Sequence, residues 1–142
     1  MIDLVPARPE MVSIIKSQRA QLATGQTMSR EQVAAAIDAG VSLACVQGSR
    51  ILAFGGIAEQ WPGRGILWGL LTDDIGATFT AVHRVVRRAL ETTSLQRVEA
   101  HVDVDHVAAV RWIEMLGFQR ETEGAMRKFW NGHDFALYAR VR

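Results

Sequence analysis

Three ionisable side chains, Glu99, His101 and Asp103, follow one another at two-residue spacing. Ala100 and Val102 lie between them, and this alternation is typical of a strand with one polar face. Carboxylates on both sides of an imidazole favour its protonated form, so we expect a raised pKa for His101. Such a group, with Asp103 beside it, is a candidate general base. The alternative interpretation is a solvated or salt-bridged strand face.

Glu59 is a second and weaker candidate base. It follows Gly55-Gly56, a pair inside a predicted strand that indicates a bulge or a close approach of two backbones. The other histidines are His83 in a predicted long helix, His106 in a first helical turn and His133 beside a turn. No two histidines have metal-ligand spacing with a nearby acid, so we expect no metal site.

The composition limits the class of protein. A chain of 142 residues, 49% hydrophobic and 22% charged, is typical of one globular domain, here residues 1–142. The formal net charge of +1 argues against a protein that mainly binds nucleic acid. Cys45 is the sole cysteine, so an internal disulfide is excluded and a buried strand position is expected. No apolar run reaches the roughly 18 residues of a membrane span, and we expect a cytosolic protein.

The clearest structural pattern is a strand followed by a helix, from Val98 to Phe118. Beyond the strand, apolar residues recur at helical spacing and include Val110, Ile113 and Leu116. Asp105 lies where a helix N-cap belongs, and Gly117 where a left-handed residue ends the helix. This unit is the reference against which the other elements are placed.

The remaining elements follow from periodicity, capping and turn signals. Ser29 and Gln32 form a predicted capping box, and Asn131-Gly132 predicts a tight hairpin. Strands are predicted at 1–5, 41–47, 50–59, 65–71, 118–123, 126–130 and 133–141, and helices at 9–21, 30–39 and 75–92. This order predicts an α/β fold with helices on both faces of a mixed, mostly antiparallel sheet of about six to seven strands. The strands before and after the long helix are expected to be parallel neighbours.

The element order and the strand–helix unit resemble the GNAT superfamily of N-acetyltransferases. Asp105-His106 lies where that family has Asp-Asn, and Ala109 at its alanine. Val110-Arg111-Trp112 matches its Ile-Arg-hydrophobic run, and Leu116-Gly117-Phe118 matches directly. The ending Asp134–Arg140 is similar to the last strand of many such enzymes. A more diffuse likeness is to small GNAT-like proteins of tailed phages and prophages.

The resemblance implies a binding site for acetyl-CoA, as substrate, where a Gln/Arg-x-x-Gly-x-Gly/Ala loop enters the long helix. With Gly76 as the first motif glycine, Asp73 takes the basic or polar position and Thr78 the last. With Gly76 as the second, Leu71 and Asp74 take the other two positions. Alternatively, Asp73 and Asp74 cap a helix that binds nothing. The cofactor-binding candidates are Leu70, Leu71, Thr72, Gly76, Ala77, Thr78 and His106.

The family's frequent catalytic tyrosine falls at Ile113, and the strand that often carries its glutamate base, Ile66–Leu71, has no acid. A base must then come from elsewhere, and the catalytic candidates remain His101, Asp103 and Glu59. In this fold the strand face that carries Glu99, His101 and Asp103 would line the cleft where the two parallel strands splay apart.

The resemblance therefore implies an acetyl-CoA-dependent N-acyltransferase acting on a small-molecule or peptide amine. The alternative is a catalytically degenerate GNAT-fold protein that acts as a phage or prophage assembly module. The arginines at 84, 87 and 88 indicate a solvated helix face or contacts to distal CoA phosphates. Trp61 and Trp130 are expected to be exposed, and a homodimer is left open.

Overall fold

The computed structural model describes residues 2–15, 28–73 and 75–142. Its strands are β1 (Asp3–Val5), β2 (Gly40–Gln47), β3 (Arg50–Trp61), β4 (Arg64–Leu71), β5 (Arg97–Asp103), β6 (Gln119–Arg120), β7 (Met126–Trp130) and β8 (His133–Val141). Its helices are α1 (Met11–Ile14), α2 (Arg30–Asp38), α3 (Phe79–Thr92) and α4 (Val107–Met115), with a 3₁₀ turn at Gly76–Thr78 before α3.

The described strands form one sheet in the order β1-β2-β3-β4-β5-β8-β6, and β7 also pairs with β8. All pairs are antiparallel except β4 with β5, which are parallel. The predicted mixed, mostly antiparallel α/β fold is therefore confirmed. The sheet has eight strands rather than six or seven because the short β6 and β7 pair separately with β8.

Helices cover both faces of the sheet. On one face, Leu90 of α3 and Ile113 of α4 pack with Val98, Ala100 and Val102 of β5. On the other, Met11 and Val33 of the first two helices pack with Phe54 and Leu70. Because side chains alternate along a strand, Glu99, His101 and Asp103 lie on this second face. Cys45 is buried, as predicted.

Local signals located several elements correctly. The Ser29 hydroxyl accepts from the Gln32 N–H at 3.1 Å, and the Gln32 side chain accepts from the Ser29 N–H at 2.8 Å, so the capping box is present. Gly117 has a φ of 91° and ends α4. The hairpin at Asn131-Gly132 has φ values of 48° and 77°. These signals depend only on neighbours in sequence, which is why they could be predicted.

The expected N-cap at Asp105 is wrong. The N-cap position of α4 is His106, which makes no side-chain capping bond. The Asp103 carboxylate instead accepts from the Asp105 N–H at 2.9 Å and turns the chain at the end of β5. The first predicted helix is described as far as Ile14, and its predicted continuation to Gln21 lies outside the described residues after Ile15.

Gly55 and Gly56 allow the close backbone approach that was one of the two predictions for this pair. A Cβ at Gly55 would collide with the carbonyl oxygen of Trp68 on β4, and one at Gly56 with that of Val41 on β2. The register irregularities of β3 lie elsewhere, between Glu59 and Trp61 and opposite Cys45 and Val46. The predicted bulge is therefore not at this pair.

No helix in the part of the chain that the structure describes is long and apolar enough to cross a membrane.

Gly55→Ala should lower the free energy of unfolding by about 1–3 kcal/mol, because backbone atoms on the neighbouring strand must move. Urea unfolding followed by circular dichroism measures the change. Gly124→Ala is the matched control, since a Cβ there meets nothing within 4 Å and its effect should stay within about 0.5 kcal/mol. Equal effects of the two substitutions would contradict the close approach.

Candidate active site

The parallel strands β4 and β5 pair along only part of their length. Pairing covers Arg64 with Arg97, Gly65 with Val98 and Ile66 with Glu99. Beyond Ile66, β4 continues to Leu71 and β5 to Asp103 with no further register between them. We call this gap the opening; residues 67–71 line one edge and residues 100–103 the other. Beyond Ile66 and Glu99 these two edges do not pair with each other.

The closed end of the opening is held by an ion-pair network. Glu99, only 4% exposed, accepts from Arg64 Nε at 2.8 Å and from Arg97 Nε at 2.6 Å. Arg97 also donates to Glu121, with its Nη1 3.1 Å from Oε2. The hydrogen bond from Arg64 chiefly, helped by Arg97 and opposed by burial, lowers the pKa of Glu99 to about 2. Glu99 is thus a fixed carboxylate, and the salt-bridged interpretation is correct for this residue.

His101 lies on the same face, on the β5 edge of the opening. Its ring centroid is 5.0 Å from that of Phe129 on β7, and the residue is exposed. Partial burial lowers the pKa of His101, and this outweighs the opposing effect of Glu99; Arg64 lowers it further. The expected raised pKa is therefore wrong in direction. The lowered pKa favours the neutral form of the imidazole, which can accept a proton.

Trp68 is the counterpart of His101 on β4. Continuing the register beyond Ile66 and Glu99 places these two residues at the same level on opposite edges of the opening. Trp68 packs edge-on against Phe54, with ring centroids 6.1 Å apart. Its indole N–H is buried and has no hydrogen-bond partner among the described residues. A buried donor of this kind is rare in folded proteins.

Asp103 is 2% exposed and has a structural role in addition to its position at the opening. Its carboxylate accepts from the Asp105 N–H and lies 3.4 Å from Nδ1 of His133. The structure therefore partners Asp103 with His133 rather than with His101. One ligand atom each from Asp103, Asp105 and His133 lie within 4.8 Å of one another. The expectation of no metal site stays a prediction.

Glu59 lies away from the opening. It is exposed on β3, its N–H donates to the carbonyl of Ala39, and it stands opposite Gly65. Gly65 belongs to the segment of β4 that still pairs with β5. The structure therefore does not bring Glu59 together with His101 and Asp103.

The cofactor-binding candidates before α3 separate into two groups. Leu70 is buried in the core beside Phe54, and Thr72 is buried with its N–H bonded to the Leu52 carbonyl. With Leu71, these residues form the end of β4, and the polar side chain among them, that of Thr72, is buried.

Gly76, Ala77 and Thr78 form the 3₁₀ turn at the start of α3. Gly76 has a φ of 50°, and a Cβ there would meet nothing within 4 Å. The capping positions are Ile75 and Thr78, and neither makes a side-chain capping bond. Asp73 is therefore not the N-cap, and Asp74 lies outside the described residues. An uncapped helix N-terminus with no acid in its first turn can bind an anion.

His106, the remaining cofactor-binding candidate, is partly buried at the carboxyl end of β5. Burial lowers its pKa, while Asp103 and Asp73 act in the opposite direction. Because Asp73 follows β4 and Asp103 ends β5, His106 lies at the mouth of the opening, where the two strands end.

Sequence reasoning missed three side chains of this site. Arg64 contacts Glu99 because the parallel register brings β4 and β5 side by side. The arginines at the start of these two strands, Arg64 and Arg97, were the sequence signal that could have indicated contacts with this carboxylate. Phe129 lies beside His101 because β7 is irregular. No sequence signal for this irregularity was found. Trp68 lies on an edge of the opening because the pairing of β4 with β5 stops at Ile66. The sequence does not show where this pairing stops.

Comparisons with known proteins identify the fold. No family model matches the chain, and no curated protein matches it. The ribosomal-protein-S18-alanine N-acetyltransferase from Escherichia coli is 16% identical, with a TM-score of 0.73 over 99% of this chain and 94% of that one. A GNAT-family acetyltransferase from Streptococcus pneumoniae is 18% identical, with a TM-score of 0.69 over 100% of both chains.

A third similar structure is the spermidine N-acetyltransferase from Vibrio cholerae in complex with CoA and spermine. It is 14% identical, with a TM-score of 0.69 over 99% of this chain and 95% of that one. The chain therefore has the fold of the GNAT acetyltransferases, as the sequence predicted. The likeness to phage and prophage proteins stays a prediction.

Glu99→Gln should lower the free energy of unfolding by about 2 kcal/mol at neutral pH, since two guanidinium groups lose a buried carboxylate. The pKa of Glu99 is lowered from 4.5 to about 2, so this stabilisation is complete above pH 4.5. It should decline as the pH falls towards 2. Urea unfolding of both proteins across this range measures the difference.

The control is Glu91→Gln, which removes an exposed pair with Arg87. This pair should contribute less than about 1 kcal/mol at any pH. A Glu99→Gln effect that stays constant down to pH 2 would contradict the assignment of Glu99 as the low-pKa group.

Proposed function

We propose that the protein is an acetyl-CoA-dependent N-acyltransferase that acetylates an amine. The observation that carries this proposal is the opening between β4 and β5, with a neutral histidine on one edge. The N-acetyltransferases with the same fold support the proposal, and one of them was solved with CoA. A cytosolic location and a homodimer stay predictions.

The start of α3 fits the anionic part of acetyl-CoA. Its N-terminal N–H groups have no side-chain cap, and the positive end of the helix dipole favours phosphate. Gly76 lets a phosphate approach the backbone because no Cβ intervenes. Asp73 opposes this attraction, so affinity below that of a loop with a basic residue is expected.

His101 would act as the general base in the transfer step. The amine nitrogen attacks the thioester carbonyl carbon, a C–N bond forms, and the C–S bond breaks with its electron pair leaving on sulfur. The attacking amine is in its neutral form, and the imidazole takes the proton that its nitrogen loses as the C–N bond forms. The imidazolium then gives that proton to the CoA thiolate, so the products are the amide and the CoA thiol and His101 is neutral again. A lowered pKa keeps the imidazole ready to accept at pH 7.

Proximity is the further contribution that would lower the barrier. Ile113 replaces the family's usual tyrosine and is buried in the core, so it supplies no proton. Holding the two substrates together would then carry much of the rate, since good orientation contributes roughly 7–11 kcal/mol.

The second candidate is a catalytically inactive assembly or interaction module. Two observations favour it: exposed carboxylates at Asp73 and Asp105 near the mouth of the opening, and exposed tryptophans at 61 and 130. The binding of acetyl-CoA separates the two candidates.

Acetyl-CoA at about 100 times its dissociation constant should stabilise the protein by about 2.7 kcal/mol and raise its melting temperature by several degrees. Ala77→Glu should remove most of the shift, because it adds a negative charge to the α3 N-terminus. Ala35→Glu adds the same charge on the exposed side of α2 and should leave the shift intact. No shift for the unmodified protein at millimolar acetyl-CoA would exclude the enzyme.

Acetyl transfer should depend on neutral His101. We expect kcat/KM to fall on the acid side, with the inflection below pH 6.5 because the pKa of His101 is lowered. His101→Ala should reduce kcat/KM roughly 10²–10⁴-fold and abolish that inflection. His133→Gln, which can still donate to Asp103, is the control. Unchanged activity in His101→Ala would remove this residue from the mechanism.

A further inference from the structure

The face of the sheet that carries His101 also carries two phenylalanines. Phe129 lies between His101 and Phe135, with ring centroids 5.0 and 5.5 Å from theirs. The ring planes are tilted by 54° and 45°, within the range of favourable aromatic contacts. We call His101, Phe129 and Phe135 the aromatic cluster.

The position of Phe129 is set by an irregularity in β7. Lys128 has a φ of 51°, unusual for a residue other than glycine. Its N–H donates to Oδ1 of Asp134 at 2.9 Å, and the register with β8 shifts between Met126 and Trp130. Such irregularities redirect side chains. The carboxylate of Asp134 thus fixes the turn that brings Phe129 beside His101.

The cluster remains open to a ligand. Phe129 is 44% exposed, and its neighbour Trp130 is 43% exposed. Two large adjacent aromatic residues at such exposure are typical of a binding surface rather than of a core. The imidazole of His101 is likewise partly exposed. An incoming ring can therefore contact the cluster while an attached amine reaches the imidazole.

Each carboxylate on the strands beside the cluster has a partner. The strands β5, β7 and β8 carry three carboxylates, on Glu99, Asp103 and Asp134. Glu99 is bound by two arginines, Asp103 contacts His133, and Asp134 accepts from the Lys128 N–H. Asp105, in the turn after β5, is exposed. A polyamine needs a carboxylate for each of its charges, and a single exposed carboxylate matches only one of them.

We propose that the acceptor is a primary monoamine with an aromatic body, which packs on Phe129 while its amine nitrogen meets His101. This inference rests on the proposed N-acyltransferase function and adds the substrate class.

The test compares 2-phenylethylamine with ethylamine, which has the same amine without the ring, and with spermidine, using release of the CoA thiol as readout. We expect kcat/KM for 2-phenylethylamine to exceed that for ethylamine and spermidine by about tenfold or more. Phe129→Ala should remove most of this preference, and Phe129→Leu should keep part of it. Arg127→Ala, exposed on the same strand, is the control and should retain the preference.

A second readout is independent of acetyl transfer. Saturation-transfer NMR should detect binding of 2-phenylethylamine to the unmodified protein, and weaker binding to Phe129→Ala, without acetyl-CoA. Melting curves check that each variant is folded.

The outcomes separate the two proposals. Transfer to ethylamine or spermidine as efficient as to 2-phenylethylamine, or a preference unchanged in Phe129→Ala, would overturn the acceptor class and leave the enzyme standing. Binding of 2-phenylethylamine that depends on Phe129, with no binding of acetyl-CoA, would overturn the enzyme and retain the aromatic-amine surface. No binding and no transfer of 2-phenylethylamine would overturn the acceptor class.

Discussion

The candidate site depends on one carboxylate shared by two strands. Glu99 on β5 binds Arg64 on β4 and Arg97 on its own strand, at the last register position where the strands pair. The carboxylate is nearly inaccessible, so the loss of either guanidinium would leave a charge poorly solvated. The ion-pair network therefore holds β4 and β5 together as far as Glu99. Beyond this residue the two strands no longer pair. The opening between β4 and β5 begins at the next residue.

The register of β4 and β5 also determines which side chains lie on each face of the opening. One face is closed by α3 and α4 over the apolar side of β5. The other carries Trp68 and His101 at matching levels, with Phe129 beside the imidazole. A donor acetyl group held in the opening and an amine on the aromatic face would thus meet at His101. Burial lowers the pKa of His101, and Phe129 is the aromatic ring in contact with that imidazole.

Sequence reasoning succeeded where the determinant was local. The helix ending at Gly117 and the hairpin at Asn131-Gly132 needed only adjacent residues. The pKa of His101 was predicted in the wrong direction because the sequence shows the flanking carboxylates but not the burial of the imidazole or the position of Arg64. The location of Phe129 depends on a backbone turn held by a hydrogen bond six residues away in the chain. The alternation of residues along a strand does not reveal such a hydrogen bond. The partners of Glu99 could likewise be identified only from the parallel register of β4 and β5.

The most direct test of this account is an amide chemical-shift map of the ¹⁵N-labelled protein titrated with acetyl-CoA. We predict that the changes concentrate on residues 67–71 and 100–103, the two edges of the opening, and on 76–79 at the start of α3. Residues 40–47 of β2 serve as the internal reference and should stay nearly unchanged. Shifts that are absent at millimolar acetyl-CoA, or that spare both edges of the opening, would contradict the account.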